Sequence, residues 1–196
     1  MPPNPIAIGI DPDLHHVGVA VASRSRILAL RSISVPNALR GPDAVTVMAL
    51  ALREIHDIVS LVNGVVTHIA VEGQTVYPAS SGKTVRPQDL IRLAQVAGAA
   101  LAHCTNAIPS PAWIECPEPV LWKGQVPKAI HQVRTLNAYG GETAGWKWVM
   151  PKVKQKGIVV MANPVGIVLP GAQWTHVLDA LGLARWAAWE SRPGGT

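Results

Sequence analysis

Ile6-Ala7-Ile8-Gly9-Ile10-Asp11-Pro12-Asp13 is the stretch on which the reading of the fold turns. An apolar run of five that ends on a carboxylate reads as a buried β-strand, about 6–11, delivering Asp11 at its far end. Val17-Gly18-Val19-Ala20-Val21-Ala22 and Ile27-Leu28-Ala29-Leu30 follow at once and predict strands over about 16–23 and 26–35. Three short strands joined by tight turns make an antiparallel meander. An unpaired buried charge costs several kcal/mol, so Asp11 requires a partner, and a metal ion is the natural one. Asp13 reads as an Asx-type turn residue, with accessory metal ligand as the alternative. His15 and His16 are adjacent, so in a strand they point to opposite faces and do not form a ligand pair.

Outward from the meander, Asp43 is a good helix N-cap. Apolar residues recur at helical spacing from Ala44 to Val62, and Asn63-Gly64 stops that helix. His68-Ile69-Ala70-Val71-Glu72 is a short buried strand ending on a second carboxylate. Strand, helix and strand form a crossover unit, which places the fourth strand parallel to the first. The loop 73–87 is polar and carries Tyr77, Lys83 and Arg86. A helix over 88–103 is rich in small residues, Ala94, Ala97, Gly98, Ala99 and Ala100, a face that admits close approach of another backbone. Ala112 to Cys116 is a fifth strand. Trp122 to Lys128 leads into a helix over about 127–137. Residues 138–172 are broken by glycine and proline and are basic, with Lys147, Lys152, Lys154 and Lys156. Thr175 is the expected N-cap of a last helix running from His176 to about Trp189. The fold class is therefore α/β: a five-stranded mixed sheet, three antiparallel strands and then parallel ones, flanked by helices.

The totals agree with a globular enzyme-sized unit. A chain of 196 residues fits one domain, 1–196, with a variable segment at about 138–172. Apolar residues make up 48% and charged residues 15%, which excludes a disordered chain. No apolar run reaches membrane-span length and the first residues lack a signal-peptide core, so a cytoplasmic protein is expected. Cys104 and Cys116 form no CxxC pair and read as buried thiols. A net charge of +5 favours polyanionic partners. The chain has seven tryptophans and no phenylalanine, so most tryptophans belong in the core; Trp186 and Trp189 are expected to pack on the sheet or at a subunit contact. His56, His68, His103 and His131 read as ordinary helix or strand histidines.

Three pieces converge on one site. Asp11 ends the first strand and Glu72 ends the fourth. His176 and Asp179 lie three apart on a helix, so they share a face with about 5–6 Å between Cβ atoms. A helix laid across that sheet edge would gather all four. Such a set without neutralising lysines repels itself and makes sense as a ligand set for divalent cations. Carboxylates suit Mg²⁺ or Mn²⁺, and one imidazole is tolerated by Mn²⁺ and by a loosely held Mg²⁺. Two such ions about 3.5–4 Å apart can act on a phosphodiester, one on the attacking water and one on the leaving oxygen.

Ile8-Gly9-Ile10-Asp11-Pro12 followed by Gly18, then Val71-Glu72, then His176-Val177-Leu178-Asp179-Ala180-Leu181-Gly182 resembles the RuvC family of Holliday junction resolvases. The match spans most of the chain in the right order. The resemblance implies an RNase H-like fold and a crossover junction endonuclease. It implies that Asp11, Glu72, His176 and Asp179 are metal ligands and catalytic residues for two Mg²⁺ ions, with Mn²⁺ able to substitute, and that His176 positions or activates the attacking water. It implies a homodimer on four-way or other branched DNA, joined through the helix around Ala94–Gly98, without a nucleotide cofactor. Tyr77 falls where the family places a base-stacking aromatic, and Lys83, Arg86, Lys123 and Lys128 are expected DNA contacts. The tract from Trp122 to Lys128 resembles the phage branch, which implies a bacterial cell or a phage-infected host.

Other readings predict different outcomes. An RNase H-fold nuclease for RNA–DNA hybrid or flaps would cut without junction preference. A silent junction-binding protein would bind and not cut. A GID opening also begins actin-like and sugar-kinase ATPases, which need a second duplicated domain that 196 residues do not supply.

Overall fold

The structure, a computed structural model, describes residues 5–34, 44–62, 66–74, 86–140, 147–149, 160–162 and 171–190. The expected cap at Asp43, the stop at Asn63-Gly64 and most of 138–172 lie outside the described residues. Strands β1 (Ile6–Asp11), β2 (His16–Ala22) and β3 (Ile27–Ser34) form the antiparallel meander. Helices α1 (Ala44–Ala51) and α2 (Glu54–Ser60) lead to β4 (Val66–Val71), which lies parallel to β1. Helix α3 (Pro87–Ala107) precedes β5 (Trp113–Glu115), parallel to β4. The sheet order is β3-β2-β1-β4-β5. It is the RNase H-like fold expected from the sequence. Helices α4 (Pro119–Lys123) and α5 (Lys128–Asn137) follow, then a hairpin of β6 (Lys147–Val149) and β7 (Val160–Ala162), and the last helix α6 (Gly171–Glu190). No helix among the described residues is long and apolar enough to cross a membrane.

The two faces of the sheet differ in bulk, and that difference positions the site. Ile8, Ile10, Val17, Val19, Val21, Ile69 and Val71 pack against Met48, Leu52, Ile55, Val96 and Ala100 of α1 to α3. The opposite face carries Ala7, Ala20, Ala22 and Ala70, and it receives α6. Alternation along a strand puts Gly9 on the same face as Ala7, and Gly18 on the same face as Ala20. A Cβ at Gly9 would fall on the backbone of Ala180 and Ala184, and one at Gly18 on the backbone of His176 and Val177. Small residues thus let α6 lie almost directly on β1 and β2. Burial on nearly every side follows: Trp174, Val177, Leu178, Leu181, Leu183, Ala184 and Ala188 are all enclosed.

Several boundaries differ from expectation. The single helix expected over 44–62 is two, because the chain tightens at Leu52 and Arg53. There Arg53, Ile55 and His56 donate to carbonyls three residues back rather than four. Helix α4 was not expected; Pro119 at its first position starts it and Gly124, at φ +62°, ends it. Helix α3 runs on past His103, and α6 starts before Thr175, which lies inside it. Cys116 is exposed rather than buried, because it follows the short edge strand β5, whereas Cys104 is on the buried face of α3.

Candidate functional site

Asp11 continues the alternation of Ala7 and Gly9, and Glu72 that of His68 and Ala70, so both carboxylates end on the α6 face. The Glu72 amide donates to the Ile10 carbonyl at 2.9 Å, extending the parallel ladder one residue beyond β4. The two acids therefore sit side by side at one end of adjacent strands. Close docking of α6 supplies Asp179. One oxygen from each of Asp11, Glu72 and Asp179 lies within 4.8 Å of the others, and all three residues are buried. His176, one turn earlier on α6, places Nδ1 2.7 Å from Asp11 Oδ2. All four residues predicted from the sequence are thus brought together, with the imidazole on a carboxylate rather than in the acidic triad itself.

The absence of neutralising lysines expected from the sequence is contradicted. Lys123 Nζ lies 3.3 Å from Glu72 Oε1, and Lys128 Nζ pairs with Asp179 Oδ2. Their long stems carry the ammonium groups in from α4 and the start of α5, outside any spacing visible from the acids. Gln132 was missed altogether. Its Nε2 donates to Asp179 Oδ1 at 2.9 Å and to the Thr175 carbonyl at 3.1 Å. The available signal was spacing: Lys128 and Gln132 stand four apart and share one face of α5.

Burial and mutual repulsion dominate the electrostatics. Burial, with the Asp179 charge adding to it, pushes Asp11 up to about 7 against the pull of Lys128, Lys123 and a hydrogen bond from Glu72. Burial and the Asp11 charge push Glu72 up to about 8. Buried side by side, the two carboxyls favour holding a proton between them over ionising together. Burial holds His176 below its ordinary value. For Lys128, burial works downward, but the Asp179 and Asp11 charges outweigh it and the ammonium is held firmly.

Three buried carboxylates converging on one point, with ammonium groups drawn onto two of them, form a donor set that fits a hard divalent cation. Asp11, Glu72 and Asp179 would hold it. The chemistry of the set favours oxygen-seeking Mg²⁺ or Mn²⁺ over soft, thiolate-seeking metals.

The other expected site residues are dispersed. Asp13 Oδ1 accepts from the His15 and His16 amides at 2.8 and 3.2 Å, which makes it the turn residue of the two readings. His16 Nδ1 lies 3.0 Å from Ser34 Oγ. Arg86 is exposed just before α3. Tyr77 and Lys83 lie outside the described residues. Trp186 packs on Trp113 of β5, with ring centroids 5.5 Å apart.

No family model matches the sequence, and no curated protein sequence matches it. Solved structures do. The chain is similar to Thermus thermophilus RuvC in complex with Holliday junction substrate, at 17% identity over 96% of both chains with a TM-score of 0.60. It is similar to Thermus thermophilus RuvC in a second structure, at 18% identity over 95% of both chains and a TM-score of 0.59. It is also similar to the yeast mitochondrial Holliday junction resolvase Ydc2, at 16% identity over 95% of this chain and 82% of that one, with a TM-score of 0.50. Nearly the whole chain therefore shares the fold of these resolvases.

Proposed function

We propose that this chain is a metal-dependent endonuclease that resolves Holliday junctions and other branched DNA by paired phosphodiester hydrolysis. The observation that carries it is the junction of Asp11, Glu72 and Asp179 in one buried cluster, with His176 on Asp11. That cluster stands on a fold shared with proteins named as Holliday junction resolvases, one of them solved with its junction.

Bound Mg²⁺ or Mn²⁺ ions, two per site in this reading, would lower the pKa of a water and stabilise charge on the leaving oxygen. The chain's own groups do the rest. Asp11, Glu72 and Asp179 supply the negative charge that concentrates cations here. Gln132 holds the Asp179 carboxylate in one orientation through Oδ1. A neutral His176 with its proton on Nδ1, toward Asp11, keeps Nε2 as an acceptor for a proton from water. Lys123 and Lys128, which pair with Glu72 and Asp179, would meet the scissile phosphate where cations take those acids. Arg86, with Lys83 and Tyr77 in the loop after Glu72, would contact the arms and bases of the junction.

The unit would be a single domain, 1–196, working as a homodimer in the cytoplasm of a bacterial or phage-infected cell. On α3, Ile91, Ala94 and Gly98 form an exposed stripe, and a Cβ at Gly98 would meet nothing. Such a strip suits close packing of a second copy, and paired nicks need two sites. A second reading has one observation in its favour. Two lysines already neutralise Glu72 and Asp179, as they would in a junction-binding protein that does not cut.

The experiment is nicking of a labelled immobile four-way junction beside a matched duplex, with Mg²⁺, with Mn²⁺ and with EDTA. Symmetric paired nicks on the junction alone, lost in EDTA, support the proposal. Tight junction binding without cutting in either metal would favour the silent reading, and equal cutting of duplex or hybrid would remove the junction selectivity.

A further inference from the structure

A second concave site lies beside the carboxylates, between α4, α5 and α6. It is a cavity of about 260 Å³ walled by Trp122, Trp186, Trp189 and His131, with Gly182 and Arg185 of α6 between them. Gly182 lets two of its walls close on α6. A Cβ there would come within 2.6 Å of the His131 ring and 2.8 Å of the Trp122 ring, so any side chain would push the walls apart. Among the described residues, no acidic side chain lines the cavity.

Three polar atoms of its walls lack partners. Among the described residues, Trp122 Nε1, Arg185 Nε and His131 Nδ1 are buried and have no hydrogen-bond partner. Indole and guanidinium nitrogens can only donate, so the missing partner must bring acceptors. Leaving buried donors unmade is costly, and several in one cavity mark a place where a ligand completes the bonding. Cations gather at the walls as well. The Asp179 charge acts on His131 from the neighbouring site, and Lys123, Arg185 and Arg134 act on it in the opposite sense; the Arg185 guanidinium lies 5.4 Å from the Trp189 ring centroid. Tryptophan rings wall the cavity, Trp122 already meeting His131 at 5.0 Å and Trp189 meeting Arg24 and Arg185 at 5.4 Å, so a flat ring that enters packs against aromatic walls and the cations offer a place for an anion.

We infer that this cavity binds one nucleotide, its base stacked on tryptophan and its phosphate held by Arg185. The cavity is sized for one small flat molecule rather than for a peptide segment. The inference goes beyond the nuclease reading and does not rest on it. Lys123 touches both places, 3.3 Å from Glu72 Oε1 and 4.9 Å from the Trp122 ring centroid, so the two sites are neighbours.

The test is ¹⁹F NMR of the full chain labelled with 5-fluorotryptophan, in EDTA, so that neither metal nor cleavage enters the result. The probes are deoxyadenosine 5′-monophosphate, the trinucleotide d(AAA), deoxyadenosine and inorganic phosphate. Saturable shifts of the Trp122, Trp186 and Trp189 resonances by the mononucleotide or the trinucleotide, with Trp174 unmoved, are expected. Tighter binding of the trinucleotide identifies a nucleotide within a strand, and binding of the mononucleotide alone identifies a free one. Arg185→Gln should weaken binding at least about tenfold, as loss of a charge-assisted phosphate contact does, and Gly182→Ala should abolish it. If Arg185→Gln fails to fold, Trp189→Ala at the exposed rim gives the same comparison. No saturable shift with either nucleotide probe, equal shifts with inorganic phosphate alone, or unchanged binding in these variants would overturn the inference.

Discussion

His176 Nδ1 stands 2.7 Å from Asp11 Oδ2, joining the last helix to the first strand across 165 positions of sequence. The contact forms only because Gly9 and Gly18 let α6 rest on β1 and β2. One proton lies between the two groups, and its place decides which of them is the base. With Asp11 charged, the proton sits on Nδ1 and Nε2 is left as acceptor. His176→Ala should therefore lower the rate of the chemical step by about 10²-fold or more, the usual contribution of a positioned general base. Divalent-ion binding should persist, because the triad is intact. Single-turnover nicking together with a Mn²⁺ titration checks this, and loss of both together would count against the role.

Asp11→Asn removes one charge from the centre of the cluster while keeping a side chain that His176 can meet. Cleavage should fall by on the order of 10³-fold, and junction binding should stay within a few-fold of the parent. In EDTA at pH 8 the variant should be at least as stable as the parent, because burial disfavours the Asp11 carboxylate and a neutral amide escapes that penalty. Calorimetry with and without metal separates this from simple damage to the fold, which would lower stability under both conditions.

Protonation of the acids couples stability to pH. Asp11 rises from 3.8 to about 7 and Glu72 from 4.5 to about 8 on folding. Between those limits the folded chain binds more protons than the unfolded chain, so stability of the metal-free protein is full below about pH 4 from these groups. It is lost as pH rises through about 7 to 8. Each kcal/mol lost should lower the melting temperature by about 2–4 °C in a chain of this size. Added Mg²⁺ or Mn²⁺ should raise it most at the alkaline end, where the ligands are already charged. Thermal melts from pH 5 to pH 8.5 with EDTA and with metal test the sign. A metal effect that shrinks with rising pH would contradict the assignment.

Much of this was legible in sequence, and the reason is period. Apolar runs ending on Asp11 and Glu72 mark strand ends, and the interval of three between His176 and Asp179 marks one helix face. The order β3-β2-β1-β4-β5 follows from tight turns in the meander and one crossover. Less legible was anything carried by a long side chain from a distant helix. Lys123 and Lys128 read as surface phosphate contacts, yet their stems cross into the acidic cluster. Gln132 left only a spacing, and nothing marked it as the group that fixes Asp179. The division of the helix at Leu52 and Arg53 depends on a local tightening of hydrogen bonds that an unbroken apolar stripe conceals.

Gly9→Ala should be far more damaging than a one-carbon change suggests. The added methyl meets the backbone of Ala180 and Ala184, which cannot rotate away as a side chain would. Overpacking in a core costs about 1–3 kcal/mol, and a clash with helix backbone belongs at or above the upper end. If the variant folds, α6 must lift, carrying Asp179 and His176 away from Asp11 and Glu72. Chemical denaturation and Mn²⁺ affinity should fall together. Gly98→Ala is the control: that position is open, so the folded monomer should tolerate it, and only self-association should respond.

Lys128→Gln bears on whether the ammonium group competes with cations for Asp179. The pair is close, Asp179 is almost wholly buried, and the lysine is half exposed, so it can leave for solvent. Its departure would be the cost a divalent ion met on entering. With glutamine in its place, that competing charge is gone and Mn²⁺ should bind several-fold more tightly. Junction affinity should drop instead, because a phosphate contact is lost, and the slope of log affinity against log salt should fall by about one contact's share. Opposite movement of the two affinities is the signature of a residue that serves the acids when the site is empty and the DNA when it is filled. Parallel weakening would mean that Lys128 does no more than hold Asp179 in place.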